Sequence, residues 1–144
     1  MDKHAAASAF KLAMETQKPA FEEFFLARLL DLKFDYADER CTITFGLKDF
    51  MFNPQGSLHG GIIAMVLDIS MGHLLNHLQG PGTTLEMKTQ YVKAARQGTI
   101  RCCGEFIRRG RNISFLKATM TDEDGATVAF ATATWAQLKK PRDG

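Results

Sequence analysis

The sequence predicts an α+β protein in which an antiparallel β-sheet wraps around one long apolar helix. A helix-length, almost wholly apolar run begins at Gly60 and ends at the stop signal formed by residues 79–82, Gln-Gly-Pro-Gly. One strand-like run precedes this helix and four more follow it, separated by turn sequences. A single helix followed by consecutive strands is typical of the α+β class.

Further helices are predicted before the sheet. Residues 5–16 are helix formers, and Pro19 suits the first turn of a second helix. Apolar residues then recur at helical spacing, namely Phe21, Phe24, Phe25, Leu29 and Leu32. We assign residues 1–38 to an N-terminal helical segment and residues 39–138 to the domain that contains the sheet, within a single domain overall.

Five strands are predicted. In the first, residues 40–47, apolar side chains alternate with polar ones, which places one apolar face against the core. The strands after the long helix cover residues 84–92, 99–108, 113–121 and 127–137. Two polar sequences that contain glycine, residues 109–112 and 122–125, supply hairpin turns.

Asp68 is the only acidic residue between Gly60 and Gln79. Burying an ionised carboxylate without partners costs several kcal/mol or forces its protonation. An acid in the middle of an apolar helix therefore indicates a functional site.

The loop before the helix is polar and rich in glycine, with the sequence Asn53-Pro-Gln-Gly-Ser-Leu-His-Gly-Gly61. Glycine permits close approach to a ligand, and the first N–H groups of a helix lack partners and lie at its positive end. The loop and Asp68 together indicate chemistry at a carbonyl group.

Helix geometry separates these two groups. Asp68 follows Gly60 by eight positions, which corresponds to ~12 Å along a helix axis. A general base or nucleophile and an oxyanion donor must both lie within roughly 3 Å of the reacting atoms. If both groups act on one substrate, they come from different chains, and a symmetric homodimer with two sites follows.

The motif Asn53-x-x-Gly56-x-x-His59-Gly60-Gly61, followed by Leu67-Asp68 and Gly72, resembles the signature of the PaaI-type hotdog acyl-CoA thioesterases. Residues 91–98, the Arg109-Gly110-Arg111 turn, and residues 124–129 also fit this family. The resemblance implies a hotdog fold, hydrolysis of an acyl- or aryl-CoA thioester to the carboxylic acid and free CoA, and a homodimer that can pair into a homotetramer.

The resemblance also implies roles for individual residues. Asp68 would act as base or nucleophile, and the Gly60 N–H would stabilise the oxyanion from across a dimer interface. Asn53 and Thr84 are candidates to orient the water or the carboxylate, and His59 is expected to hold the loop or contact the thioester.

Substrate binding is expected at Gly61 and at the hairpin turn of Arg109, Gly110 and Arg111, whose guanidinium groups could contact CoA phosphates. No metal and no cofactor are expected, because CoA is part of the substrate. The phenylalanine-rich segment 21–34 is expected to be core, with an acyl pocket as the alternative.

Composition narrows the function classes. The formal net charge is +2 and the basic residues are scattered, so nucleic-acid binding is not expected. Three cysteines cannot all pair within the chain and no secretory signal is visible, which favours a cytoplasmic location. The apolar run is interrupted by Asp68 and is expected to be too short to cross a membrane.

Two other functions use the same residues. A hotdog hydratase or dehydratase would act through a histidine and an acid, but the proline-flanked histidine motif of those enzymes is absent. A non-catalytic acyl-CoA-binding module would not need Asp68.

Two other kinds of site are not expected. His73 and His77 lack a third metal ligand, and Ser57 lacks the G-x-S-x-G context of a serine hydrolase.

Overall fold

The structure, a computed structural model, describes residues 1–139. Within this range, three α-helices accompany six strands that form one antiparallel sheet. The helices are α1 (Lys3–Thr16), α2 (Phe25–Leu29) and α3 (Gly60–Gln79), and a single 3-10 turn covers Asp49–Met51. The strands are β1 (Lys33–Ala37), β2 (Arg40–Gly46), β3 (Gly82–Tyr91), β4 (Thr99–Arg108), β5 (Ile113–Thr121) and β6 (Thr127–Gln137).

The order of the strands in the sheet is β1-β2-β4-β5-β6-β3, which leaves β1 and β3 at the two edges. The predicted α+β architecture is confirmed, and the bounds of α3, β4, β5 and β6 agree with the sequence prediction. The predicted turn at residues 122–125 is also present, where Asp122 Oδ1 accepts the N–H groups of Asp124 and Ala126 at 3.0 Å.

Helix α3 packs against the inner face of the sheet and supplies much of the core. Its most deeply buried apolar residues are Val66, Leu67, Met71, Leu74 and Leu75, each fully removed from solvent. Burial of each such side chain contributes roughly 1.5–3 kcal/mol relative to exposure. They meet alternating strand residues such as Ile43, Ile100 and Leu116, as the period-two pattern predicted.

Glycines allow α3 to lie very close to the sheet. A Cβ atom at Gly72 would lie 2.4 Å from the Trp135 ring, and one at Gly104 of β4 would lie 2.6 Å from the Ser70 carbonyl oxygen. Because neither separation is physically possible, a side chain at either position would force the helix or the Trp135 ring to move.

The apolar composition of α3 has a structural explanation. The helix has 20 residues and meets the length and hydropathy of a membrane span, so the expectation that it is too short was wrong. However, 56% of its most apolar window is buried inside the protein. Packing on the sheet therefore accounts for the apolar sequence without a bilayer.

The N-terminal segment differs from the prediction. The second helix is restricted to Phe25–Leu29, because Glu22 adopts a positive φ of 65° and breaks the helical pattern before it. Residues 33–37 form strand β1, which pairs with β2 and was not predicted. Part of the segment assigned as helical therefore joins the sheet.

His73 connects this segment to α3. Its Nε2 accepts the Glu22 N–H at 3.3 Å, and its ring stacks on Phe34 with 4.9 Å between the ring centroids. His77 instead stacks on Tyr36, so the two histidines do not converge on a common point. Among residues 1–139, no three His, Cys, Asp or Glu side chains gather as metal ligands.

Burial lowers the pKa of His73 from its ordinary 6.5, although Glu22 and a bond to the Ile69 backbone act in the opposite direction. The folded chain thus binds fewer protons than the unfolded chain, and stability is lost as the pH falls from about 6.5 toward the lowered pKa. We expect the free energy of unfolding, measured by urea denaturation, to decrease as the pH falls below about 6.5.

The variant His73→Gln should show a weaker pH dependence, whereas His77→Gln should retain it because the side chain of His77 is exposed. An unchanged pH dependence in His73→Gln would contradict this assignment.

Candidate active site

Asp68 and Thr84 form the first part of the site. The Thr84 hydroxyl donates to Asp68 Oδ1 at 2.7 Å, joining the middle of α3 to edge strand β3. Among residues 1–139, no group donates a hydrogen bond to Asp68 Oδ2. One carboxylate oxygen is thus held in place while the other remains free to accept a proton or to attack.

Burial raises the pKa of Asp68 above its ordinary 3.8, and the bond from Thr84 partly offsets this effect. The cause is removal of the carboxyl group from water between α3 and β3, since burial is the largest contribution to the shift. A carboxylate with a raised pKa is a stronger base once ionised, which suits a role in proton transfer.

An irregularity in strand β3 lies beside Thr84. Thr84 pairs with Trp135 and Glu86 pairs with Thr134, so Leu85 is an extra residue in the pairing with β6. Such β-bulges redirect side chains near functional sites. Here the side chain of Leu85 is exposed while Thr84 meets Asp68.

The second part of the site is the N-terminus of α3. His59 is the N-cap, and its Nδ1 accepts the Gly61 N–H at 2.8 Å. The Gly60 N–H, by contrast, has no hydrogen-bond acceptor among residues 1–139. One unpaired donor thus remains at the positive end of the helix dipole, as required of an oxyanion donor.

A cleft of about 330 Å³ lies at this helix terminus, lined by residues that include Asn53, Ser57, Gly60, Tyr91 and Lys93. The Asn53 side chain accepts the Ser57 N–H and donates to the Ser57 hydroxyl, both at 3.1 Å. Asn53 therefore shapes the loop beside the cleft, and its predicted role with water stays a prediction.

Tyr91 belongs to this group although the sequence did not single it out by itself. Its hydroxyl donates to the Gly60 carbonyl oxygen at 3.0 Å, and a Cβ atom at position 60 would lie 3.3 Å from its ring. Tyr91 is 31 residues away from Gly60 in the chain. Only the pairing of the last strand with β3 brings it there, so no local signal could have revealed the contact.

The two parts do not meet within one chain. Helix α3 runs without interruption from Gly60 to Gln79, so the Gly60 N–H and the Asp68 carboxylate lie ~12 Å apart along its axis. The premise of the two-chain hypothesis, that both residues lie on one helix, holds in the structure.

The hairpin of Arg109, Gly110 and Arg111 lies near the opposite end of α3. Arg109 donates to Gln79 Oε1 at 2.5 Å and to the Leu78 carbonyl at 3.1 Å, which stabilises the helix C-terminus. Gly110 is sterically required, because a Cβ atom there would lie 1.9 Å from the Ile113 carbonyl oxygen. Arg111 is exposed. Contact with CoA phosphates stays a prediction for this turn.

Comparison with known proteins identifies the family. The model of the thioesterase superfamily matches residues 55–129, which contain His59, Gly60, Asp68, Thr84 and Tyr91. The chain belongs to the thioesterase superfamily. Its reaction class is thus the hydrolysis of thioesters, and the family resemblance seen in the sequence is confirmed.

Two relatives illustrate which proteins this thioesterase is similar to in sequence. It is 27% identical over 134 residues to SSO2140 of Saccharolobus solfataricus, provisionally named an esterase, covering 88% of this chain and 96% of that one. It is 26% identical over 98 residues to the medium/long-chain acyl-CoA thioesterase YigI of Salmonella typhimurium, covering 56% and 63% of the two chains.

Solved structures share the fold. BH2602 of Bacillus halodurans, solved with CoA, has a TM-score of 0.81 at 23% identity and covers 96% of this chain and 91% of that one. PaaI of E. coli has a TM-score of 0.78 at 14% identity and covers 94% and 96%. The predicted hotdog fold of this thioesterase is confirmed.

The raised pKa of Asp68 predicts the stability of a variant. The folded chain binds more protons than the unfolded chain between 3.8 and the raised pKa, so the stability from this group falls as pH rises through that window. We expect Asp68→Asn to be at least as stable as the wild type at neutral pH, since the amide carries no charge and can still accept from Thr84. Urea denaturation of both proteins measures this, and a loss of more than about 1 kcal/mol in the variant would contradict it.

Proposed function

We propose that this protein is an acyl-CoA thioesterase that hydrolyses an acyl- or aryl-CoA thioester at a site shared between two subunits. The observation that carries the proposal is a pair of half-sites on one helix. The Asp68 carboxylate is tethered through a single oxygen, and the unpaired Gly60 N–H lies beyond its reach. In thioester hydrolysis, the carboxylate supplies the base or nucleophile and the N–H supplies the oxyanion donor.

CoA as the leaving group is supported by two of the comparisons. YigI is named an acyl-CoA thioesterase, and BH2602 was solved with CoA. In this chain, the cleft beside Gly60 is also lined by Lys93, whose ammonium pairs with Asp122 at 2.7 Å. The cations proposed to contact the CoA phosphates are Lys93 and the two arginines of the predicted turn, Arg109 and Arg111.

Strand β3 is the proposed dimer surface. Its outer edge bonds to no other strand among residues 1–139, and its exposed residue Leu85 adds apolar area. An unpaired edge strand is a template for pairing with another chain. The same strand carries Thr84 and Tyr91, so pairing through it would bring Asp68 of one subunit toward Gly60 of its partner. Pairing of dimers into a tetramer is proposed from the family resemblance.

In the water route, Asp68 removes a proton from a water molecule that attacks the thioester carbonyl carbon. The carbonyl oxygen becomes an oxyanion and accepts a hydrogen bond from the Gly60 N–H of the partner subunit. The tetrahedral intermediate then collapses, the C–S bond breaks, and the CoA sulfur leaves with the proton returned by Asp68. The products are the carboxylic acid and free CoA.

In the nucleophilic route, the Asp68 carboxylate attacks the same carbon and forms a mixed anhydride with release of the CoA thiolate. Water then hydrolyses the anhydride and regenerates Asp68. Both routes use the same oxyanion donor and the same orientation of Asp68 by Thr84. Neither requires a metal or a further cofactor.

A simple assay separates this proposal from its alternatives. Release of free thiol from a panel of acyl-CoAs is expected of a thioesterase, whereas a binding module or a hydratase would release none. Asp68 also argues against a binding module, because a carboxyl group whose ionisation is disfavoured by burial has no use in mere recognition.

The oxyanion donor can be removed without removing a native hydrogen bond. Gly60 is the first residue of α3, where proline is tolerated, and His59 already has the extended backbone that precedes proline. Gly60→Pro deletes the N–H and should lower kcat by about 100- to 1,000-fold. Gly60→Ala is the matched control, because it adds the same Cβ atom but keeps the donor.

Steady-state kinetics on purified variants with wild-type circular dichroism measures the effect. If Gly60→Ala loses as much kcat as Gly60→Pro, contact with the Tyr91 ring rather than the N–H explains the loss.

Two inactive variants should restore activity when their subunits mix. An Asp68→Asn chain retains the donor and a Gly60→Pro chain retains the carboxylate, so a mixed dimer contains one complete site. With free subunit exchange, half of the dimers are mixed and half of their sites are complete, so activity should recover to about a quarter of the wild-type value.

Subunit exchange is verified with differently tagged chains, and activity is followed as thiol release. Confirmed exchange without any gain in activity would assign the donor and the carboxylate to one chain.

A further inference from the structure

The peptide group between Gly60 and Gly61 is held at both ends by side chains. The Tyr91 hydroxyl donates to the Gly60 carbonyl oxygen at 3.0 Å, and the Gly61 N–H donates to His59 Nδ1 at 2.8 Å. The carbonyl and the N–H belong to the same peptide unit. A continuous chain of hydrogen bonds therefore runs from Tyr91 through the peptide to His59.

This chain restrains the backbone on the far side of Gly60. The Gly60 N–H belongs to the preceding peptide, whose His59 carbonyl accepts the Ile62 N–H at 3.0 Å. Glycine has no Cβ atom and allows wide rotation between these two peptides, so holding the second peptide as well fixes the Gly60 backbone angles and with them the direction of its N–H. Donation from Tyr91 polarises the carbonyl and strengthens the bond made by the Gly61 N–H of the same peptide. The peptide plane that follows Gly60 is thereby fixed on one side by the hydroxyl and on the other by the imidazole.

The Tyr91 ring adds a steric restraint. It covers Gly60 so closely that a Cβ atom there would lie 3.3 Å from the ring. The backbone of Tyr91 is itself fixed by pairing with Ala129 of β6. The hydroxyl therefore approaches Gly60 from a rigid strand rather than from a loop.

We propose that Tyr91 is a positioning residue that directs the Gly60 N–H toward the developing oxyanion by clamping the Gly60–Gly61 peptide. The inference rests on the proposed function of the Gly60 N–H. Tyr91 itself makes no contact with the reacting atoms in this role. Because Thr84 lies on the same strand, β3 orients both the carboxylate and the oxyanion donor.

The test is Tyr91→Phe, which removes only the hydroxyl and keeps the ring over Gly60. Tyr36→Phe is the matched control: it is the same chemical change at the other tyrosine of the chain, whose hydroxyl donates to Glu22. Loss of positioning costs less than loss of the donor itself, so kcat should fall by about tenfold in Tyr91→Phe.

The KM of Tyr91→Phe should remain within about twofold of the wild-type value, because an oxyanion donor acts mainly in the transition state. Tyr36→Phe should leave both constants unchanged. A second readout does not depend on turnover: in a protein labelled with ¹⁵N-glycine, the Gly61 amide resonance should shift in Tyr91→Phe and stay in place in Tyr36→Phe.

Three outcomes would overturn the proposal. These are wild-type kcat in Tyr91→Phe, an equal fall of kcat in both variants, and a raised KM at constant kcat, which would make Tyr91 a substrate-binding residue. If the wild type releases no thiol from any acyl-CoA, the proposed function fails, and the Gly61 resonance alone decides the clamp. An unshifted resonance would then exclude it.

Discussion

The close contact between helix α3 and the sheet is the constraint on which the site depends. Two glycines allow it, because Gly72 accommodates the Trp135 ring and Gly104 accommodates the Ser70 carbonyl group. The helix then lies close enough to the sheet for Asp68 to accept the Thr84 hydroxyl at 2.7 Å. A larger residue at either glycine would lift the helix and separate the carboxylate from the group that orients it. The close packing of the core therefore also determines the orientation of the proposed catalytic carboxylate.

The rigid helix is also the physical reason for proposing a site shared between two subunits. It fixes the Gly60 N–H and Asp68 at positions that no local movement can bring together, since both belong to one unbroken hydrogen-bonded element. In the proposed function, each chain therefore contributes one half of each of two sites. The raised pKa of Asp68 shows that its ionisation is disfavoured in this position. A carboxyl group that lowers stability and accepts a hydrogen bond through only one oxygen is typical of a functional site.

The sequence predicted the parts of the structure that depend on local pattern. The alternation of apolar and polar residues predicted most strands, and the helix-length apolar run predicted α3. Asp68 was identified as a candidate because it is an acid among apolar neighbours. The second helix was predicted too long, because Glu22 has a positive φ that its residue type does not signal. Strand β1 was missed because it has only five residues and is bordered by Asp31 and Asp38, which also adopt positive φ.

Contacts between distant residues could not be read from the chain. The family resemblance suggested Thr84, but neither its bond to Asp68 nor the position of Tyr91 over Gly60 has a local signal, because both depend on where β3 pairs in the sheet. Arg109 is a further example, because the bonds from its guanidinium to Gln79 and Leu78 at the end of α3 have no local signal in the sequence.

The most direct measurement is a crystal structure with a CoA thioether ketone, in which a methylene group stands between the sulfur and the acyl carbonyl and prevents hydrolysis. The account predicts a carbonyl oxygen at about 3 Å from the Gly60 nitrogen of one subunit, with the Asp68 carboxylate of the partner subunit facing the carbonyl carbon. A ketone bound with both groups from one chain, or bound away from the Gly60 nitrogen, would contradict it.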